Sequence, residues 1–392
     1  MTTIRRIGAR PEVLRWARES LKLPPGEAAR RIGLKESRLA QFESGEVEPT
    51  INQLRAMANA YHRPLGALFL PEPPAEEHIL TVPDYRRSQT RSRVEPRPLK
   101  AAIFRAMRQQ AALREIAQEL KTPEAELGLP FQVESDVNSE VLGARLREHL
   151  SIDGYSLSIL SRSDVFLREL VRTCEGLNVT VIQVQSVDTQ DMRGFSLGEG
   201  TCPVIALNGA DWPRGKIFTL LHELAHVALR TSGLCDLPEI EDAELERRCN
   251  EAAAAALMPR ETFLESSQDR PRLIGVTYAR ALGSSYGVSG EAALLRMVNL
   301  GLAEWDDYWR LLPEFRDAYL RYKADEKSNA TPDSPLYYQL KTRDLGRRFI
   351  RTVLQAYAED LLSSRDLTTL LEVKYDKVSK LAEKVGDGSA PA

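Results

Sequence analysis

Histidine and cysteine are both scarce in this sequence of 392 residues, which contains five histidines and four cysteines. The cysteines, at positions 174, 202, 235 and 249, form no CxxC pair. A long chain without such a pair gives no reason to expect a disulfide framework, so we expect small buried side chains instead.

Long apolar runs are also lacking. The opening residues, MTTIRRIGARPEV, contain no apolar segment typical of a secretory signal, and no later stretch reaches the ~18 apolar residues that span a bilayer. We therefore expect a cytoplasmic protein with no membrane partner. No repeat of fixed period is visible. The content of hydrophobic residues, 43%, and of charged residues, 28%, excludes a disordered or fibrous chain.

The small net charge of −3 is unevenly distributed along the chain. Residues 1–70 hold 12 Lys and Arg against 7 Asp and Glu, a net charge of +5, which leaves −8 for the remainder. The basic N-terminal end is therefore the candidate for contact with nucleic acid.

Five short helical segments are predicted within residues 11–70, separated by residues that stop helices. Gly33 separates the second from the third, because glycine adopts a positive φ at little cost. Helix, glycine turn and helix form the helix-turn-helix pattern. The segment EAARRIGLKESRLAQFESGEVEPTINQLRAMANAY resembles the Xre/Cro-like helix-turn-helix family, and the likeness extends over nearly all of residues 11–70.

This resemblance implies that the third helix enters the major groove of operator DNA. The side chains expected to face bases or phosphates are Lys35, Ser37, Arg38 and Gln41, with Arg30 as a further DNA contact. The second helix begins PPGE where the family often has a polar phosphate-contacting residue, and we expect binding by a homodimer. A helical bundle used only for protein contacts is the alternative.

Residues 75–97 are rich in proline and carry a basic run, which predicts a linker. Its arginines either contact phosphate or form a solvated surface. Long amphipathic helices are predicted from Leu99 to Leu120 and around Ser139 to His149. The segments NVTVIQV and CPVIALN are apolar and β-branched, which predicts strands of a small sheet, with turn glycines in MRGFSLGEG between them.

The motif HELAH lies in the helix predicted from Lys216 to Arg230. Its two histidines, His222 and His226, share one helix face and are able to bind a single Zn²⁺ ion. Glu223 lies beside that ion, in the place of a catalytic base. The next helix, ELERRCNEAAAAALMP, is expected to supply a third ligand in Glu246, and Asn250 one turn later is expected to orient a zinc-bound imidazole. Glu244 and Glu251 are nearby alternatives to Glu246.

The segments IALNG, FTLLHELAHVAL and CNEAAAAALMP resemble the ImmA/IrrE family of zinc metallopeptidases, over about residues 177–265. The resemblance implies that His222, His226 and Glu246 hold zinc and that Glu223 takes a proton from the water attacking a peptide carbonyl. The family usually has phenylalanine where this sequence has Ala252. We expect the substrate to add to an edge strand, for which CPVIALN is the candidate.

The chain beyond Pro271 is predicted to be mostly helical, with Trp305 and Trp309 in the core. Its last part reads as a helix, a capped helix and a lysine-rich helix. Either a second, degenerate helix-turn-helix or a plain docking tail fits this pattern, and the turn lacks a glycine.

These features predict a mostly α protein with a small β-sheet (α+β). The expected divisions are an Xre-like domain at 1–74, a linker at 75–97, a zincin-like peptidase domain at 98–270 and a helical region at 271–392. Such chains look similar to antitoxins paired with PIN-domain ribonuclease toxins. We therefore expect a DNA-binding regulator that acts as an antitoxin-type repressor of a toxin-antitoxin module. The alternatives are a peptidase that cleaves a repressor, and a repressor whose metal domain only senses a signal.

The antitoxin interpretation places the toxin on the C-terminal tail. The basic residues expected to face the toxin are Arg347, Arg348, Lys374 and Lys377. The apolar residues expected to supply affinity are Phe349, Val353, Leu367 and Leu371.

Overall fold

The computed structural model describes residues 9–19, 23–61, 68–69, 97–131, 133–134, 136–189, 191–230, 239–328 and 336–386. Of these, the residues up to Arg105 form one compact unit and those from Ala106 onward form another. The described residues are mostly helical with one small sheet, which confirms the predicted fold class. None of the described helices is long and apolar enough to cross a membrane.

The first unit contains the helix-turn-helix. Its helices are α1 (Pro11–Glu19), α2 (Pro25–Ile32), α3 (Glu36–Glu43) and α4 (Ile51–Ala60). Gly33 ends α2 in the left-handed conformation, with φ 78°, and its N–H is bonded to Ala29 O and Arg30 O. This is the conformation for which glycine is the favoured residue. The fifth predicted helix lies mostly, and the linker almost wholly, outside the described residues.

A buried ion pair fixes α1 against α3. The guanidinium of Arg18 donates to both carboxylate oxygens of Glu43 at 2.7 Å and also to Leu23 O at 3.0 Å. The hydrogen bonds that Arg18 donates to Glu43 raise the pKa of Arg18, although burial opposes that change. Both charges are satisfied in the interior, so the pair determines how α3 is presented at the surface.

The second unit begins within α5 (Arg97–Glu119) and consists largely of helices. Those before the sheet are α6 (Ser139–His149), α7 (Leu157–Leu160) and α8 (Ser163–Gly176). Those after it are α9 (Pro213–Ala228), α10 (Glu239–Leu257), α11 (Arg260–Ser266), α12 (Val276–Ser285), α13 (Gly290–Asn299) and α14 (Trp305–Ser328). The C-terminal helices are α15 (Leu336–Leu345), α16 (Arg347–Ala358), α17 (Ser364–Leu371) and α18 (Val378–Val385).

The sheet contains β1 (Thr180–Val184), β2 (Gly194–Leu197) and β3 (Val204–Asn208), in the order β1-β3-β2. β1 is parallel to β3, whereas β2 is antiparallel to it. Two predictions are corrected here. The segment MRGFSLGEG contains a strand as well as turns, and CPVIALN forms the central strand, so it offers no free edge to a substrate.

The alanine-rich part of α10 packs closely against α6. A Cβ atom on Gly143 would lie 2.7 Å from Ala252 O, so only glycine fits at this crossing. Small residues on both helices let the backbones approach, and α10 also contacts α9. The core around these helices extends to Ala279, Leu282 and Ala293 of α12 and α13. The alanine run therefore brings α10, and with it Glu246, close to the HELAH helix.

The tryptophans at the start of α14 are on the surface, and their predicted place in the core is wrong. Trp305 is 51% exposed and Trp309 is 60% exposed, and their rings stack with centroids 6.2 Å apart. The two tryptophans lie one helical turn apart, on a face of α14 that is exposed to solvent.

A second core joins the C-terminal helices to the latter part of α5. It contains the four apolar residues expected to bind a toxin, Phe349, Val353, Leu367 and Leu371, each 0% exposed. That expectation is wrong, because these side chains stabilise the fold of their own chain. Two of the expected basic contacts are also engaged: Arg347 donates to Val385 O, and Arg348 donates to Glu126 O.

Candidate metal centre and nucleic-acid interface

Helix α9 carries the HELAH motif into the interior. It begins at Pro213, where a missing N–H is tolerated, after Trp212 in an extended conformation. Apolar residues occupy most of the remaining faces, so the helix is surrounded by protein. His222 is 5% exposed and His226 is 2% exposed. Two imidazoles are thus held in a largely water-free place, where polar groups need partners.

Three side chains converge at this point. His222 Nε2 lies 3.1 Å from one carboxylate oxygen of Glu246, and His226 Nε2 lies 3.0 Å from the other. The two Nε2 atoms are 3.2 Å apart. Ligands at ~2.0 Å from a tetrahedral zinc ion are separated by about 3.3 Å, so this spacing matches one shared ion. The three residues form a cluster able to hold a metal.

The other two candidate carboxylates face away from the histidines. Glu244 is 58% exposed and bonded to Arg247 at 2.6 Å. Glu251 is engaged by the same Arg247 and accepts a hydrogen bond from Ser139 at 3.0 Å. The geometry therefore favours Glu246 as the third ligand.

The site is electrostatically suited to a cation. Burial alone would raise the pKa of Glu246, but hydrogen bonds with His222 and His226 hold it well below its usual range. Burial alone would lower the pKa of His226, yet hydrogen bonds with Cys249 and Glu246 raise it well above its usual value. The lowered pKa of Glu246 and the raised pKa of His226 both mean that the cluster stabilises positive charge between its ligand atoms.

Cys249 is a contact that the sequence reasoning did not anticipate. Its thiol is buried on α10, three residues after Glu246, and is hydrogen-bonded to the side chain of His226. One helix turn therefore holds this imidazole through both residues. The sequence signal for this contact was the spacing of three residues between Glu246 and Cys249, which places both side chains on one side of α10. Asn250 is half-buried in the next position, and its role as an orienting partner stays a prediction.

Glu223 is buried beside the strand β2. It is 5% exposed, and its Cγ lies 3.4 Å from the place that a Cβ on Gly194 would occupy. That same Cβ would overlap Thr219 Cγ2 and lie 3.1 Å from Ala206 O. Gly194 therefore lets β2 pass close to the face of α9 that carries Glu223, and the sequence reasoning had assigned this glycine to a turn.

Replacing Gly194 by alanine is expected to force β2 and α9 apart. Overpacking of this kind costs about 1–3 kcal/mol, and we expect the free energy of unfolding to fall by that amount. Denaturant unfolding of the full chain measures the change. Gly128→Ala is the matched control, because no atom lies within 4 Å of the Cβ it would add. Equal stability of the two variants would contradict the close approach described here.

β2 is an edge strand of the sheet, but its residues Phe195, Ser196 and Leu197 are buried, at 1%, 0% and 4% exposure. The other edge strand, β1, contacts α15 and α16, and a Cβ on Gly346 would lie 2.9 Å from Val181 O. No described strand pairs with the outer side of β2. Both edge strands are therefore covered by other parts of the chain.

Asn208, in the IALNG motif, has a structural role. Its buried Nδ2 donates to Val187 O at 3.1 Å and to Met192 O at 2.7 Å, while its Oδ1 accepts from Ala210 N at 2.9 Å. This amide ties the loop before β2 to the turn that leads into α9. The strand and the helix that flank the metal cluster are thus held to one another.

The candidate DNA-contacting residues lie on the second and third helices of the first unit. Lys35, Ser37 and Arg30 are exposed. Arg38 is half-buried, donates to Gln41 Oε1 at 3.0 Å and lies over the ring of Phe42 at 5.0 Å. Gln41 in turn donates to Glu46 at 3.3 Å. The two residues best suited to base contacts are therefore paired with each other in the free protein.

Comparison with known families gives two matches. Residues 14–68 match the family model described as Helix-turn-helix, and residues 173–298 match a peptidase family described as IrrE N-terminal-like domain. No curated protein and no solved structure matched the chain. The chain therefore combines a DNA-binding helix-turn-helix domain with a metallopeptidase-like domain, and these features are those of a DNA-binding regulator. Neither match bears on the predicted antitoxin role.

Proposed function

We propose that the metallopeptidase-like domain is an active zinc endopeptidase that acts together with the DNA-binding domain of the same chain. The observation that carries this proposal is the convergence of His222, His226 and Glu246. The two Nε2 atoms lie 3.2 Å apart, and each lies 3.0–3.1 Å from an oxygen of the Glu246 carboxylate. Glu223 follows the first of these histidines directly, on the same buried helix.

The donor set fits zinc. Two imidazole nitrogens and one carboxylate are the ligands typical of a catalytic zinc, and they leave a fourth position open. Calcium and magnesium prefer sites made of oxygen atoms alone. When bound, zinc would lower the pKa of a water molecule and polarise a peptide carbonyl.

The chain's own residues supply the remaining requirements of hydrolysis. Glu223 is placed to accept a proton from the attacking water and to return it to the leaving amine nitrogen. The oxygen of that water bonds to the carbonyl carbon as the C–N bond breaks, so atoms and protons balance. Because His222, His226 and Glu223 are all buried, we infer that the substrate is an extended or unfolded polypeptide segment, which is narrow enough to reach them.

Peptide sequencing by mass spectrometry tests this activity. The zinc-loaded full chain is incubated with a degenerate peptide library and with unfolded casein, and new N-termini are counted. We expect new termini that vanish after treatment with a zinc chelator and return when zinc is added. Failure to find zinc-dependent termini with either substrate would contradict the proposal.

We also propose that the helix-turn-helix reads operator DNA as a homodimer through Lys35, Ser37, Arg38 and Gln41. Support comes from the exposure of Lys35 and Ser37 and from the position of the other two on the reading helix α3. Arg38 and Gln41 would exchange their mutual hydrogen bond for bonds to base edges, so little is lost on binding. Arg30, on α2, would contact phosphate.

Substitutions distinguish these two kinds of DNA contact. Arg38→Ala and Gln41→Ala are each expected to reduce discrimination between operator and random DNA by about 1–3 kcal/mol, because base contacts carry sequence information. Arg30→Ala is expected to weaken binding to both DNAs alike. The operator is first selected from random duplexes by the full chain, and titrations then measure both affinities. Equal losses on both DNAs for all three variants would show that Arg38 and Gln41 read no bases.

The wider setting remains a proposal. An antitoxin that neutralises a PIN-type toxin, a peptidase that cleaves a repressor and a metal-sensing repressor share the architecture described above. The presence of Glu223 beside the candidate zinc ligands favours hydrolysis over pure sensing. The divisions at 1–74, 75–97, 98–270 and 271–392 likewise stay proposals.

A further inference from the structure

The helices α16 to α18 repeat the spacing of the helix-turn-helix formed by α1 to α3. Helix α17 (Ser364–Leu371) has 8 residues, as does α2 (Pro25–Ile32). Each is followed by one residue in the left-handed conformation, Gly33 with φ 78° and Glu372 with φ 52°. All these positions in the C-terminal segment lie 339 residues after their N-terminal counterparts.

The correspondence continues beyond the turn. Lys35 and Lys374 are both extended residues that precede the next helical segment, with φ −76° and −68°. That segment starts at Glu36 in the N-terminal unit and at Tyr375, with a short 3-10 turn leading into α18, in the C-terminal one. The two chain paths are therefore matched residue by residue through helix, turn and helix.

The buried positions match as well. The corresponding buried pairs are Leu14 and Val353, Ala28 and Leu367, Ile32 and Leu371, Leu39 and Val378, and Phe42 and Leu381. Helix α16 packs against α17 and α18, and α1 packs against α3. Corresponding positions therefore form the buried face of α1–α3 and of α16–α18, although the two sequences have little in common.

The turn tolerates the absence of glycine. A left-handed conformation is unfavourable for a residue that carries a side chain. Glu372 is held there by an ion pair with Lys341 Nζ at 2.9 Å, and Ser363 caps α17 reciprocally with Asp366. These contacts offset the strain at the turn.

The outward face of the second helical segment is basic. Lys374, Lys377 and Lys380 occupy the positions of Lys35, Arg38 and Gln41, and all three are exposed. Lys384 is exposed one turn later. Residues 374–384 contain four lysines against two acidic residues, although the chain beyond residue 70 has a net charge of −8. Local positive charge against that background favours a polyanion.

We propose that α16–α18 form a second helix-turn-helix, which binds the phosphate backbone of duplex DNA through Lys374, Lys377 and Lys380. This site is additional to the N-terminal domain and goes beyond the function proposed above. Lysine is a flexible point charge without the planar fork that recognises guanine, so the second site holds DNA without reading its sequence. DNA is favoured over a protein partner because the apolar residues of these helices are buried in their own core.

Charge reversal in the full chain tests the proposal. Lys374→Glu, Lys377→Glu and Lys380→Glu are combined, both in the native chain and in a chain whose N-terminal site carries Lys35→Glu and Arg38→Glu. Fluorescence anisotropy with a random-sequence duplex measures affinity over a series of salt concentrations. We expect the triple variant to lower affinity at low salt at least about 10-fold and to reduce the salt slope by about 2–3, since each lost phosphate contact removes about 0.9.

A matched control carries the same change of charge elsewhere. Arg168→Glu, Arg172→Glu and Arg321→Glu alter exposed residues of the same unit that lie outside α16–α18. Thermal unfolding verifies the fold of every variant, and Lys→Gln at the three lysines gives a milder change if the reversed chain is unstable. Equal loss of affinity in the control would reduce the effect to net charge and overturn the proposal. Unchanged salt slopes in the lysine variants would also overturn it and leave the face to a protein partner.

Discussion

Glu223→Gln is expected to lower the rate of peptide hydrolysis by about 10²–10⁴-fold, the usual contribution of a positioned general base. Glutamine has nearly the same shape as glutamate but does not accept a proton from water at neutral pH. Because Glu223 is not among the three converging ligands, zinc should stay in place. The measurement is the rate of appearance of new N-termini from the cleaved substrate.

Glu261→Gln provides the matched control for this variant. It makes the same chemical change at an exposed position of α11 and is expected to leave the rate unaltered. A Glu223→Gln variant that cleaved at the native rate would remove Glu223 from the reaction. The attack of water would then need another base.

Glu246→Gln is expected to weaken zinc binding by more than about 100-fold, since loss of groups that merely orient zinc ligands already weakens it about 10–100-fold. An amide carries no charge to offset that of the ion. The carboxylate of Glu246 lies within 3.1 Å of both imidazole Nε2 atoms. Competition with a zinc-binding dye measures the dissociation constant.

Two neighbouring glutamates serve as controls on the same helix. Glu244→Gln and Glu251→Gln alter carboxylates that are bonded to Arg247 and face away from the histidines. Both variants should bind zinc as tightly as the native chain. Zinc loss in either one, with tight binding retained in Glu246→Gln, would assign the third ligand differently.

The candidate site was predictable where the information is local. His222 and His226 are four residues apart on one helix, so their common face follows from helix geometry. The choice among Glu244, Glu246 and Glu251 depends on how α10 packs on α9 and was left open in the sequence. The contact of Cys249 with His226 depends on the same packing, which the close crossing at Gly143 determines.

The errors arose where distant residues decide the outcome. The strand β2 has only four residues and begins with a glycine, so its pattern resembled a turn. The central position of β3 results from a strand order, β1-β3-β2, that differs from the order in the chain. Which strands lie at the edges of the sheet could not be decided without that order.

The C-terminal helices show a further limit of sequence patterns. An apolar stripe such as Phe349 and Val353 has the same periodicity whether it faces its own chain or a partner. The structure buries both residues in the second core. Likewise, the missing glycine counted against a helix-turn-helix there, whereas Glu372 adopts the left-handed conformation that the turn requires.

The zinc content of purified full-length variants is the most direct test of the central claim, that His222, His226 and Glu246 hold zinc while Glu223 acts as the base. Mass spectrometry of the metal gives the number of zinc ions per chain. The native chain and Glu223→Gln should each hold about one zinc, and His222→Ala should hold almost none, because only the last variant removes a ligand. If Glu223→Gln lost zinc as completely as His222→Ala, the assignment of ligand and base would be contradicted.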